Sequence, residues 1–268
     1  MITRMNDIAI CIAAHGAVLP GSDEGFAAFA NDVRVAYPGL PVALAFTSSM
    51  VRERLSRSGR DMPSPPQVIR ELARQGSRRI AVQSLHVIIG QDYEDAFAAC
   101  RVLCNEGVIG ELAMGQPLLA DDASAWAAAR ALPSIIPPER AADEALVLVG
   151  HGSGHKGAML YETLVAQARA ADPLVFLGLL SGGPGPAEIA AEARRRGARG
   201  AWLLPLLSAP GMHVRRDIAG DSPGSWTSGL SAHGLPARCV ARGALEHPAL
   251  RALWLDHLRA AMARLATP

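Results

Sequence analysis

Aromatic residues make up only 4% of the 268 positions. So few rings argue against a platform on which successive nucleic-acid bases could stack. A surplus of one charge is also missing. The 26 Lys and Arg stand against 25 Asp and Glu, a formal net charge of +1, without the basic excess that draws a protein to phosphate backbones. The cluster Arg194-Arg195-Arg196 precedes Gly197 and fits cations placed at a helix C-terminus. Long apolar runs are absent near the start: Ile8 to Ala14 falls far short of the ~20 residues of a membrane helix. No small-residue cleavage site follows it as in a secretory signal, so a cytoplasmic protein is expected. Cysteine is scarce, and Cys11, Cys100, Cys104 and Cys239 form no Cys-x-x-Cys pair. Cys100 and Cys104 fall one helical turn apart and are expected as buried apolar residues rather than a soft metal site.

What is present is a regular alternation. Half the residues are hydrophobic, enough for a compact core in one large domain or two ordinary ones. Strands are expected at 8–14, 42–46, 79–85 and 108–114, with helices at 22–37, 50–58, 66–75, 92–105 and 121–132. Pro133 and the pair Pro137-Pro138 then interrupt the pattern, which sets a boundary between residues 1–136 and 137–268. The second half repeats the scheme, with strands at 146–149, 174–180, 201–207 and 237–240. Its helices are expected at 156–170, 186–196, 213–219 and 248–265. Strands alternating with helices predict an α/β fold with doubly wound parallel sheets. Both halves open with a strand that runs into His-Gly, at His15-Gly16 and His151-Gly152. That repetition points to two lobes related by internal duplication, with an active-site cleft expected between them.

The chemistry concentrates in Leu146 to Gly157, Leu-Val-Leu-Val-Gly-His-Gly-Ser-Gly-His-Lys-Gly. An apolar strand stops at Gly150 and delivers His151 to the carboxyl end of the sheet, where α/β proteins bind ligands. A second strand ends in Ser208-Ala-Pro-Gly-Met-His213. Two imidazoles carried by two strand-end loops suit a transition metal. A phosphate loop is excluded, because His155, Lys156 and Gly157 stand where Gly-Lys-Ser/Thr belongs. A Gly-x-Ser-x-Gly hydrolase elbow fails too, with His151 and His155 flanking Ser153. The turn Ser181-Gly-Gly-Pro-Gly-Pro186 leads from a strand into a helix. It is either a plain turn or a place where free backbone N–H groups attract an anion.

Several stretches together resemble the anaerobic cobaltochelatase family, which inserts Co²⁺ into sirohydrochlorin during cobalamin synthesis. They are Ala45-Phe-Thr-Ser-Ser-Met50, Val82-Gln-Ser-Leu-His-Val-Ile-Ile-Gly90 with Asp92-Tyr93-Glu94, and Gly150-His-Gly-Ser-Gly-His155. Leu204-Pro-Leu-Leu207, His213, Asp217, Ala219, Asp221 and Ser225-Trp226 complete them. The resemblance implies a class II, nucleotide-independent chelatase with a tetrapyrrole substrate. Its divalent metal substrate is Co²⁺ first, then Fe²⁺ or Ni²⁺. No nucleic-acid or membrane partner is implied, and homo-oligomers occur among related chelatases.

By that resemblance His151 and His213 bind the metal and are catalytic; His86, which faces either the cleft or the core beneath it, and Ser181, Gly182, Gly183 and Met212 are candidates to border the ring. The chain departs from the family pattern at several of these places. Ser181 stands where the family has a glutamate, Gly183 where it has a tyrosine, Met212 at an acidic position, and Arg216 in place of an asparagine. A serine hydroxyl supplies no negative charge, so another acid, Glu188 or Asp217, is the candidate replacement. A binding protein that kept the fold and lost turnover is the alternative. His15, at the first-lobe position equivalent to His151, ranks third among the ligand candidates. His155, His233, His247 and His257 are expected to be ordinary polar residues.

Overall fold

The computed structural model describes residues 7–266. The chain forms two compact units, Met1–Leu118 with Arg251–Pro268, and Leu119–Leu250. In chain order the first contributes β1 (Ile8–Ala14), α1 (Glu24–Ala36), β2 (Val42–Phe46), α2 (Ser49–Ser56), α3 (Pro65–Arg74), β3 (Arg79–Ser84), α4 (Gln91–Asn105) and β4 (Glu111–Gly115). The second contributes α5 (Asp122–Ala131), β5 (Glu144–Gly150), α6 (Met159–Arg169), β6 (Val175–Leu179), α7 (Pro186–Arg195), β7 (Gly200–Leu206), α8 (Trp226–Ala232) and β8 (Ala237–Cys239). The last helix, α9 (Pro248–Ala266), begins at the edge of the second unit and runs through the first.

Each unit has one four-stranded sheet, ordered β2-β1-β3-β4 in the first and β6-β5-β7-β8 in the second. All pairings are parallel. The two orders are the same order, which is the duplication expected from the paired His-Gly strand ends. Every residue of β1, Ile-Ala-Ile-Cys-Ile-Ala-Ala, is buried. A central parallel strand is covered on both faces, so its apolar run is continuous rather than alternating. One face of it, Ala9, Cys11 and Ala13, packs with Val68, Ile69 and Leu72 of α3 and Cys100 and Leu103 of α4. Helix α3 starts where Ser64 and Gln67 form a capping box with Pro65 in the first turn, an arrangement that satisfies end N–H groups before the helix begins.

Cys11 and Cys100 are buried core residues, while Cys104, expected to be buried, and Cys239 are half-buried against the cores. Burial pushes the Cys100 thiol up to about 12 and Cys11 well above its usual range. Neither offers a thiolate to a metal near neutral pH.

Two expectations change. The boundary at 136/137, with the whole carboxyl terminus in the second lobe, gives way to one near Leu118, and α9 returns to the first lobe. The return is held by burial of Trp254, Leu258, Ala261 and Leu265. It is also held by Arg251 Nε donating to Asp32 Oδ2 at 2.7 Å, and by Arg79 Nη1 donating to the Leu265 carbonyl at 2.7 Å. The prolines at 133, 137 and 138 end α5 and its following turn inside the second unit rather than marking its edge.

The second change is α8, absent from the sequence reading because Trp-Thr-Ser-Gly-Leu-Ser-Ala has few good helix formers. It forms because Ser225 accepts a hydrogen bond from the Ser228 N–H at 3.1 Å, and because Trp226 and Leu230 are buried. Among the described residues no helix is long and apolar enough to cross a membrane.

Candidate metal centre

In the second lobe the strand order reverses direction between β5 and β7, and both candidate histidines leave the carboxyl ends of those strands. A ligand crevice is expected at such a switch point. His151 directly follows β5. Its backbone is fixed on two sides. The Leu180 N–H donates to the Gly150 carbonyl and the Ser181 N–H to the His151 carbonyl, each at 3.0 Å. Glycine is required twice here: a Cβ on Gly150 would press on the Tyr161 ring at 2.8 Å, and one on Gly152 would overlap the Ser181 carbonyl. Tyr161 lies under the loop with its phenol oxygen against the His151 backbone, and burial raises its pKa.

His213 arrives by a different device. His213–Ile218 is a single turn of π-helix, closed by the Ala219 N–H donating to the Val214 carbonyl at 2.8 Å. The sequence reading gave an ordinary helix over 213–219. Such π turns recur at functional sites because the widened turn re-aims side chains. Val214 and Ile218 are fully buried and anchor the turn, while His213, Arg215 and Arg216 face outward.

The two imidazoles meet with ring centroids 5.1 Å apart and planes at 82°. His213 Nδ1 lies 2.7 Å from Asp217 Oδ2. Arg216 Nε donates to the other carboxylate oxygen at 2.7 Å. The Arg216 guanidinium, and after it His213, hold Asp217 below the usual carboxylate range against the opposing effect of partial burial. An ionised carboxylate can only accept, so Nδ1 of His213 carries the donated proton, and in the neutral ring the lone pair lies on Nε2. Carboxylates placed in this way orient metal-ligating histidines and raise their basicity. His151 Nδ1 sits 3.1 Å from the Gly152 carbonyl; donating there, it leaves Nε2 free in the same way.

The two candidate acids lie in different surroundings. Asp217 bonds to His213. Glu188 accepts from the Gly185 N–H at 3.0 Å and caps its own helix α7, so the anion-attracting turn at 181–186 already holds one carboxylate of the chain itself. Ser181, Gly182 and Gly183 are exposed beside His151, and exposed Met212 precedes the π turn. His155 is structural, its Nδ1 accepting from the Gly157 N–H at 3.1 Å. His247, expected to be an ordinary polar residue, is buried with no hydrogen-bond partner for its Nε2 among the described residues. Burial, and then Arg242, lower its pKa.

His86 belongs to the first lobe, just beyond β3. Its Nδ1 lies 2.8 Å from Ser84 Oγ, and Nε2 lies 3.4 Å from Thr47 Oγ1. Burial first, then the neighbouring His15, lower its pKa to about 4, so it is neutral at physiological pH. His15 Nδ1 is 2.8 Å from Asp92 Oδ2. Asp92 drew no role from the sequence, because its 77-residue separation from His15 leaves no spacing to notice.

Comparisons with known proteins identify the family. Residues 8–263 match the family described as cobalt chelatase (CbiK). Sirohydrochlorin cobaltochelatase CbiKC of Nitratidesulfovibrio vulgaris is 36% identical over 261 residues, covering 97% of this chain and 93% of that protein. Sirohydrochlorin cobaltochelatase of Salmonella typhimurium is 31% identical over 241 residues, 90% of each chain. The fold is shared with SirB from Bacillus subtilis with Fe3+, at a TM-score of 0.67, 19% identity and 97% of both chains. With that match running from β1 into α9 and two relatives above 30% identity, the chain belongs to the cobalt chelatase family.

Proposed function

We propose that this protein inserts a divalent metal, Co²⁺ first and Fe²⁺ or Ni²⁺ as alternatives, into sirohydrochlorin or a similar tetrapyrrole without a nucleotide. It does so as a cytoplasmic enzyme of cobalamin or related tetrapyrrole biosynthesis, working as a single chain or as an assembly of copies. The observation that carries this reading is the His151–His213 pair, 5.1 Å between ring centroids, with Asp217 bonded to one imidazole.

Neutral imidazole nitrogens are good ligands for a borderline divalent ion. The metal substrate is first held by the two Nε2 lone pairs, with Asp217 lowering the charge of the assembly. The ring then approaches over Ser181, Gly182, Gly183 and Met212, where two glycines leave open backbone. Arg215 and Arg216 on the π turn supply cations for its carboxylates. As metal–nitrogen bonds form, the pyrrole N–H protons must leave. An imidazole that has released the metal regains a lone pair able to accept one.

Ser181 favours one second reading, a tetrapyrrole- or metal-binding protein without turnover. The distinguishing measurement is anaerobic metal insertion into sirohydrochlorin, followed by absorbance, with Co²⁺, Fe²⁺ and Ni²⁺ in parallel beside a protein-free control. Turnover above the control is expected. Rates equal to the control with a shifted ring spectrum would leave a binding protein. Ser181→Glu should turn over no faster than wild type, because Asp217 already supplies the carboxylate and a second one holds the ion harder. A gain beyond about tenfold, the lower end of what a single site-supporting group contributes, would favour the binding protein.

A further inference from the structure

We propose that α5 is a self-association surface, on which a second copy of this chain packs its own α5 antiparallel, about a two-fold axis at Trp126. The helix reads Asp-Ala-Ser-Ala-Trp-Ala-Ala-Ala-Arg-Ala, and its buried face is Ser124, Ala125, Ala128 and Ala129. The other face carries Asp122, Trp126 and Arg130. Spaced four residues apart, these three follow one another along one side of the helix. Trp126 is 46% exposed, and Asp122, Ala123 and Arg130 are exposed around it. Leaving so large a ring in water forgoes the stabilisation that its burial would give. Tryptophan is also the residue type most often found anchoring a protein–protein contact.

The face is complementary to itself. Asp122 stands four residues before Trp126 and Arg130 four residues after it. Turning the helix end over end about Trp126 therefore sets each carboxylate against a guanidinium of the other copy. A two-fold contact requires this reciprocity, in which one residue meets a second and the second meets the first. A parallel pairing would instead oppose like charges at both ends. An acid in the first turn and a base in the last also suit the dipole of a single helix, but the dipole gives no reason for the exposed ring between them.

The surroundings favour a close approach. Ala123 and Ala127 lie on the same side as the ring, and small residues at a contact let two helix axes come near one another. Asp122 is already oriented, because Thr163 Oγ1 on the adjoining α6 donates to its Oδ1 at 3.3 Å. Its Oδ2 is left for Arg130 of the second copy. The α5 contact is short, about 15 Å along the helix, and belongs with the weak interfaces below about 1,200 Å².

Sedimentation of the full chain over a range of concentrations tests this pairing. Wild type is expected to dimerise with a Kd of about 10–100 μM, in keeping with so small a contact. Trp126→Ala should weaken it by about 30-fold or more, the effect of removing a central aromatic anchor. Asp122→Arg and Arg130→Asp should each be monomeric alone, since each opposes like charges at both ends of the face. An equimolar mixture of the two restores opposite charges at both ends and should dimerise about as well as wild type. Unchanged circular dichroism and Tm separate a lost contact from a lost fold, and the Trp126 arm stands by itself should a charge variant not fold. A wild type still monomeric at about 1 mM would overturn the pairing and leave the face to a different protein. A dimer indifferent to Trp126→Ala, or charge variants that stay monomeric when mixed, would overturn it as well.

Discussion

Replacing His151 or His213 with alanine is expected to lower Co²⁺ insertion by at least ~100-fold, with little change in thermal stability. Each imidazole has two duties in the proposed sequence, holding the ion and accepting a pyrrole proton. Positioned acid–base groups alone contribute about 10²–10⁴-fold. The stability arm follows from exposure. His213 is half exposed, and its turn is anchored by the buried Val214 and Ile218. Asp217→Asn should be milder, about 10–100-fold in metal affinity, because it changes the support of His213 and not the ligand itself. An asparagine also leaves Arg216 without its carboxylate partner, so the loss should appear in equilibrium Co²⁺ binding as well as in rate. A histidine variant that kept wild-type turnover would remove that residue from the centre.

Much of this arrangement is legible in the chain, and the illegible parts share a cause. The bounds of β1 and β2 match the sequence expectation residue for residue, because central parallel strands are apolar runs ended by turn residues. His151 and His213 were recognisable for the same reason: strand ends are easy to see, and ligands gather there. Three features were not visible. The π turn differs from an α-helix by a single hydrogen-bond step, which the period of Val214 and Ile218 does not distinguish. Helix α9 has apolar residues enough for either lobe; only its partners Asp32, Met114 and Gln116, far away in sequence, assign it to the first. The choice between Glu188 and Asp217 depended on capping. A glutamate three residues after a helix N-cap turns back onto the backbone, whereas Asp217 sits at i+4 from His213 and meets it on the same face.

Gly152→Ala is expected to unfold more easily and to lose metal insertion together, although alanine adds a single carbon. Gly152 has φ +80, a region that costs an L-residue with a Cβ about 1–2 kcal/mol. The added carbon would also overlap the carbonyl of Ser181. That neighbour is backbone, so no side-chain rotation relieves it; the 181–183 turn and the 151–152 segment must separate. What holds them is the Ser181 N–H to His151 carbonyl bond of 3.0 Å, and breaking it frees the His151 backbone that aims one of the two imidazoles. The combined cost is about 2 kcal/mol or more, a fall of roughly 4–8 °C in Tm for a chain of this size. Gly154→Ala is the control. Its φ is not positive, and no heavy atom lies within 4 Å of its added carbon, so both stability and turnover should stay near wild type. If Gly152→Ala behaved like Gly154→Ala, the close approach of the two loops would not be what positions His151. If it lost stability but kept turnover, His151 would be held by β5 and Tyr161 alone.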